Sequence, residues 1–201
     1  MRLTRRAALL GALLPVAARA ADPAAAAPIQ ALDQALMANM RAGQATPFGQ
    51  RYNTLAPVVE ATFDLPTILR LSVGLAWSSI PPDQQAALLG VFRKFTVVQY
   101  VANFDHNDGT QFQLLPDNRT LGADQVVATR VVPPSGDATR IDYVMRRMAS
   151  GWRAVDVLLN GSISQVAVNR SDWRSSLTSG AGPLIANLQR KVASLSGGAI
   201  T

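Results

Sequence analysis

Cysteine is absent from the 201 residues, and histidine occurs once. The first absence excludes a disulfide framework, a thiolate metal centre and a lipid-modified N-terminal cysteine. Because His106 is the single imidazole, a transition-metal site is short of ligands, and only the carboxylates and carbonyls of "DHNDG" (105–109) could hold a hard cation. That run lacks the regular ligand spacing of a calcium loop and reads as a solvated turn. No Gly-x-Ser-x-Gly elbow surrounds Ser162 or Ser164, and there is no glycine-rich phosphate loop or internal repeat. These gaps leave little room for nucleophilic, metal or nucleotide chemistry.

The ends are more informative. Arg2, Arg5 and Arg6 precede the apolar run from Ala7 to Leu14, and Pro15 breaks it. Ala18-Arg19-Ala20 then supplies small residues at the two positions a signal peptidase reads. That is the pattern of an export signal, residues 1–20, cleaved near Ala20. The apolar run is far short of the roughly 20 residues that cross a bilayer. Thr4-Arg5-Arg6 resembles a twin-arginine signal, although ordinary secretion signals also carry paired arginines. Residues 21–28, "ADPAAAAP", read as a mobile spacer, and 29–201 as one domain.

Removal of the leader changes the charge argument. The whole chain carries a formal +6, but four of its 19 basic residues lie in the leader, which has no acidic residue. Fifteen basic and 13 acidic side chains remain, near +2, and the arginines are scattered. A nucleic-acid partner calls for a concentrated basic face, so none is expected.

Helical spacing comes first along the chain. Ile29, Leu32, Leu36 and Met40 recur at steps of three and four until Gly43. A helical stretch follows on either side of Pro57, which should start or kink a segment. Asp64 is placed to cap the next helix, with Pro66 in its first turn. Pro82 and Asp83 open a long helix through about Phe104, with Leu88, Val91, Phe95, Val98 and Ala102 as its apolar stripe. After Gly109 the texture changes to four strand-like runs within 110–118, 124–132, 139–148 and 152–160, separated by turn residues. Short connections predict an antiparallel meander, and "PLIANLQRKVASL" predicts a last helix. The expected fold is α+β: N-terminal helices on a curved, mainly antiparallel four-stranded sheet, an NTF2-like cone, closed by C-terminal helices. Composition alone makes the space inside that cone a filled core.

The polar candidates for chemistry have ordinary structural readings. Asp142 and Asp156 lie in neighbouring strands, and either could act as a general base inside a cone. Glu60 and Asp64 are one helical turn apart, with Asp64 committed to a cap. In "GWRAVDVLLNGSISQVAVNRSDW" (151–173), Arg170 shares a helical face with Ile163, Val166 and Trp173 if one helix runs through the segment. An arginine there needs a partner such as Asp156, or else meets a ligand head group. If a helix instead starts at Ser171, Arg170 is a junction residue.

The order of motifs resembles the MlaC family, also called the toluene-tolerance family. It is carried by Arg51, Leu55 to Val59, Phe63-Asp64, Val73 to Trp77, Gln84-Gln85, and Phe92 with Tyr100. A second signature falls on Trp152, Arg153, Asp156, Val157, Gly161, Ser162, Arg170 and Trp173. Departures are Val73 before Gly74, Arg153 in place of lysine, and Asn169 before Arg170. Stretches such as "IDYVMRRM" and "ISQVAVNRSDW" are closer to a hopanoid-associated branch, HpnM.

The resemblance implies a periplasmic carrier, not an enzyme, that needs no cofactor. It would hold a hopanoid or phospholipid inside the cone and exchange it with inner- and outer-membrane lipid-transport complexes. The chain is expected to be monomeric. The resemblance also shifts the expectation for the cone from filled to open, with Phe95, Val98, Val127, Tyr143, Val155 and Val157 lining it. Scattered Arg93, Lys94, Arg146, Arg147 and Arg170 are candidates for a basic mouth. A small enzyme using Asp142 or Asp156, and a cargo-free envelope scaffold, are the alternatives.

Overall fold

Apolar residues at three- and four-residue steps become helices along the first half of the chain. The computed structural model describes residues 22–201; the expected leader and its cleavage point lie outside them. Helix α1 (Ala27–Ala42) buries Ile29, Leu32, Leu36, Asn39 and Met40, and Gly43 ends it at φ 62°, a backbone angle that suits glycine. Helix α2 (Phe48–Thr62) runs on through Pro57, which neither starts nor ends a segment there. Asp64 caps α3 (Leu65–Val73) as expected, accepting from the Thr67 amide at 3.2 Å. A 3-10 turn over Gly74–Ser79 leads to the long α4 (Pro82–Asn103), which buries Leu88, Val91, Phe92, Phe95, Val97, Val98 and Val101.

The second half is a sheet. Its strands are β1 (Gln111–Leu114), β2 (Arg119–Leu121), β3 (Asp124–Val132), β4 (Thr139–Met148), β5 (Gly151–Leu159) and β6 (Ile163–Ser164). The order is β1-β3-β4-β5-β6, with β2 also on the free edge of β3, and every pairing is antiparallel. The four expected strands are present; β2 and β6 are short additions. The Asn-Gly turn after β5 has both residues at positive φ, 52° and 73°. Helices α5 (Gln165–Trp173) and α6 (Gly182–Leu195) end the chain, with α5 against α3 and α6 against α4.

The helices cover one face of a curved, unclosed sheet. Strand periodicity puts Val127 opposite Tyr143, and Tyr143 opposite Val157, on the inner face. Between Val144 and Met145 the register slips, since Val144 faces Asp156 while Met145 faces Ala154. Val155 is the extra residue of this bulge. It falls in a small outer cluster with Val126 and Val144, away from the main core. Few directional bonds join the two layers: the Asp64 amide donates to the Ala154 carbonyl at 2.9 Å, and Arg153 Nη1 to the Glu60 carbonyl at 3.3 Å.

Residues 22–28 differ from the mobile spacer expected of their composition. Pro23–Ala25 form a 3-10 turn, and Ala25 is fully buried in the core. Asp22 fastens the turn to the sheet, its amide donating to Gln125 Oε1 at 2.8 Å and its Oδ2 accepting from Trp152 Nε1 at 3.3 Å. Composition reports flexibility of an isolated segment, and docking against the sheet overrides it.

Candidate functional site

The interior between α4 and the sheet is built by alternate residues of each strand and one stripe of the helix. Phe95 and Val98 from α4 join Val127 and Tyr143 in one core, with Val157 packed against it. Five of the six residues expected to line a pocket therefore lie together. Val155 does not: the bulge turns it to the opposite face. Counting by twos fails at that residue because a bulge shifts the alternation by one.

Aromatic side chains pack across the space they border. Phe63, Tyr100, Phe104 and Phe112 form a row with ring centroids 5.5–6.3 Å apart, and Tyr143 stands 6.2 Å from Phe63. Offset and tilted contacts at such spacings are favourable aromatic packing. Phe92 and Trp173 meet edge-on at 5.9 Å above the other end. The chain's own aromatic side chains thus take up part of the hollow expected under the sheet. A space of about 290 Å³ lies between α1 and α2.

One acid borders the interior. Asp33 on α1 falls four residues after Ile29 and three before Leu36, half-buried beside the buried stripe. Burial pushes its carboxyl up to about 7. Burial also pushes the Tyr100 and Tyr143 hydroxyls upward, and the Asp33 charge adds to both, so the three share one neighbourhood. Sequence reading missed Asp33, although an acid on an apolar stripe was its visible sign.

The proposed general bases are committed elsewhere. Asp142 is fully buried on the outer face, held by Arg119 Nη1 at 2.7 Å and by Arg140 Nε at 2.8 Å. Asp156 accepts from the Ser164 hydroxyl, from the Val166 amide at 3.1 Å and from its neighbour's amide at 2.8 Å, so it organises the start of α5. Ser164 itself caps that helix, accepting from the Ala167 amide at 3.0 Å.

Arg170 does not reach Asp156. It is exposed, and its Nε and Nη2 both donate to the Leu71 carbonyl, at 3.1 and 2.6 Å, tying α5 to the C-terminus of α3. Neither a single helix nor a start at Ser171 describes the segment, because α5 begins at Gln165. The other basic candidates are also engaged: Arg93 with Glu60 at 3.2 Å, Arg146 with Asp124 at 2.6 Å, and Lys94 with the C-terminal carbonyl of Thr201. Arg147 lies 3.7 Å from Asp22. His106 is solvent-facing beside Asp105, which raises its pKa through their hydrogen bond. Among the described residues, no group of three or more His, Asp or Glu side chains is placed to hold a metal ion. Nor is any helix among them long and apolar enough to cross a membrane.

Helices on one face of a curved, unclosed antiparallel sheet, with an apolar interior between them, define an α+β class of protein. Residues 30–190 match the model of the MlaC protein family, and the chain belongs to that family. Among solved structures, the fold is similar to that of a phospholipid-binding protein from Ralstonia solanacearum, determined in complex with a phospholipid. The TM-score is 0.72 at 19% identity, over 86% of this chain and 98% of the other. No protein of curated function matches this chain in sequence.

Proposed function

We propose that this chain is a non-catalytic periplasmic lipid carrier that takes up acyl chains between α4 and the inner face of the sheet. The observation that carries the reading is the apolar, two-layered interior of a MlaC family member, joined across its layers by few directional bonds. A guest chain gains about 0.8 kcal/mol for each methylene it removes from water. That gain must offset the aromatic contacts of Phe63, Tyr100 and Phe104, so loading requires the helical layer and the sheet to part. Such a balance suits a shuttle, which must release what it binds.

Phospholipid is the first candidate cargo, because the similar structure from Ralstonia solanacearum holds one; a hopanoid is the second. Exchange with inner- and outer-membrane complexes is the role this reading assigns to the carrier, acting as a monomer. The packed interior also favours a second reading, a cargo-free envelope scaffold. Organic extraction of the exported protein, followed by mass spectrometry, separates the two. A lipid at near one per chain is expected. Protein that emerges empty, and that takes up nothing from phospholipid or hopanoid vesicles, overturns the carrier.

A further inference from the structure

The space between α1 and α2 is separate from the interior assigned to cargo, and its lining is asymmetric. Toward one end it is floored by Ala35, Ala38, Leu55 and Val58; toward the α1–α2 connection it meets Asn39, Thr46 and Arg51. At about 290 Å³ it stands at the lower edge of the roughly 300–1,000 Å³ of small-molecule sites. Small alanines on α1 keep it open.

Two buried polar groups at the connection end are incompletely partnered. Asn39 is only 6% exposed. Its amide nitrogen donates to the Val101 carbonyl at 3.3 Å and to the Phe104 carbonyl, which fixes its orientation, and its Oδ1 is buried without a donor. Arg51 is likewise 6% exposed, and among the described residues it forms no ion pair. Its Nε donates to the Thr46 carbonyl at 3.2 Å and its Nη1 to the Val101 carbonyl at 3.1 Å, while Phe48 lies 5.3 Å from the guanidinium carbon. Nη2 has no protein acceptor among the described residues. The charge of Arg51 is felt by Asp105, but that carboxylate is taken by Gln44 Nε2 at 2.6 Å and His106 Nδ1 at 2.7 Å. A buried cation without a counter-charge, at the end of an apolar groove, is an arrangement that an anionic guest can complete.

We infer that the α1–α2 groove is a second ligand site, for a one-tailed amphiphile whose head offers an anionic oxygen to Arg51. A lysophospholipid has that chemistry: a phosphate for Arg51 and a single chain for the alanine-lined end. The site does not rest on the carrier reading: it opens between α1 and α2 rather than against the sheet, although Leu55 in its floor belongs to the same core.

Alanine-methyl NMR of the full exported chain tests both sites in one spectrum, with Ala35, Ala38 and Ala42 reporting on the groove and the buried Ala154 on the core. The probe is 1-lauroyl lysophosphatidic acid below its micellar concentration. Saturable shifts at the three groove methyls are expected, with binding at least tenfold weaker for Arg51→Gln and for Ala38→Phe. Ala38 is exposed and outside the polar cluster, so its variant stays informative if Arg51→Gln does not fold. Monolauroyl glycerol, which has the hydroxyl and tail but no anion, should bind at least tenfold more weakly, and inorganic phosphate should leave the alanine-lined end unshifted. Shifts confined to Ala154 overturn the groove while supporting core binding. Equal binding of monolauroyl glycerol, full shifts with phosphate alone, or undiminished binding to Ala38→Phe also overturn it.

Discussion

Arg140 grips Asp142 from two residues away on the same strand, Nε to Oδ1 at 2.8 Å and Nη2 to Oδ2 at 3.1 Å. Arg119 reaches the same carboxylate from β2 at 2.7 Å, and Arg140 also contacts Asp117 at 2.6 Å. One fully buried acid thus gathers two strands and a turn on the face of the sheet that the helices leave free. Asp142→Asn leaves Arg119 without a counter-charge and Arg140 with Asp117 alone, and should cost about 2 kcal/mol, below the 3–5 of a wholly buried pair because both arginines reach solvent. Urea unfolding should show that loss, while the lipid extracted per folded chain stays unchanged. A general base would behave otherwise.

Gly161 tightens the same cluster. A Cβ there would stand 2.9 Å from Arg140 Nε and 3.5 Å from Asp142 Oδ2, on a backbone at φ 73°. Gly161→Ala therefore carries a left-handed backbone penalty and pushes Arg140 off its carboxylate, about 2–3 kcal/mol together. The two parts separate in a double-mutant cycle. In an Asp142→Asn background the displacement matters less, and only about 1 kcal/mol should remain.

Much of this architecture was legible in the order of residues. The stripe of α4, the cap at Asp64 and the four main strands follow from periodicity and turn chemistry, which depend on neighbours in sequence. The errors share another cause. Val155 was assigned inward because alternation was counted across a bulge, and a bulge is set by pairing with Val144 and Met145 on another strand. For Arg170 the spacing leaves open a carboxylate partner, a ligand head group or a junction role, whereas a carbonyl 99 residues away accepts from its Nε and Nη2. The alanine-rich residues 22–28 dock through Asp22 onto strands more than 100 residues distant. Whether the interior is open or filled is likewise a matter of how the rings of Phe63, Tyr100, Phe104 and Phe112 meet. Composition names those rings without placing them.

Asp33 gives a pH dependence whose sign is fixed by burial. Its carboxyl rises from the ordinary 3.8 to about 7 in the folded chain, so between these values the native state holds a proton that the unfolded chain has released. Stability from this group is complete below about pH 4 and is lost as pH rises through 7. Asp33→Asn should remove that slope and should be more stable than the parent at pH 8. Chemical denaturation at pH 4.5, 6 and 8 checks it; parallel pH profiles for the two chains would refute the assignment.

The bulge at Val155 allows the carrier reading to be tested with one kind of change at two sites. Val127 and Val155 are both almost fully buried, but Val127 belongs to the main core between helices and sheet and Val155 to the outer cluster. Replacing either with phenylalanine overpacks a valine site and should cost about 1–3 kcal/mol, so loss of stability alone does not distinguish them. Cargo does. Val127→Phe fills the layer where an acyl chain is proposed to lie, and lipid recovered per folded chain should fall several-fold. Val155→Phe should retain it. Equal retention in both variants would place the guest outside the α4–sheet interior, and equal loss would tie loading to stability rather than to the space those residues border.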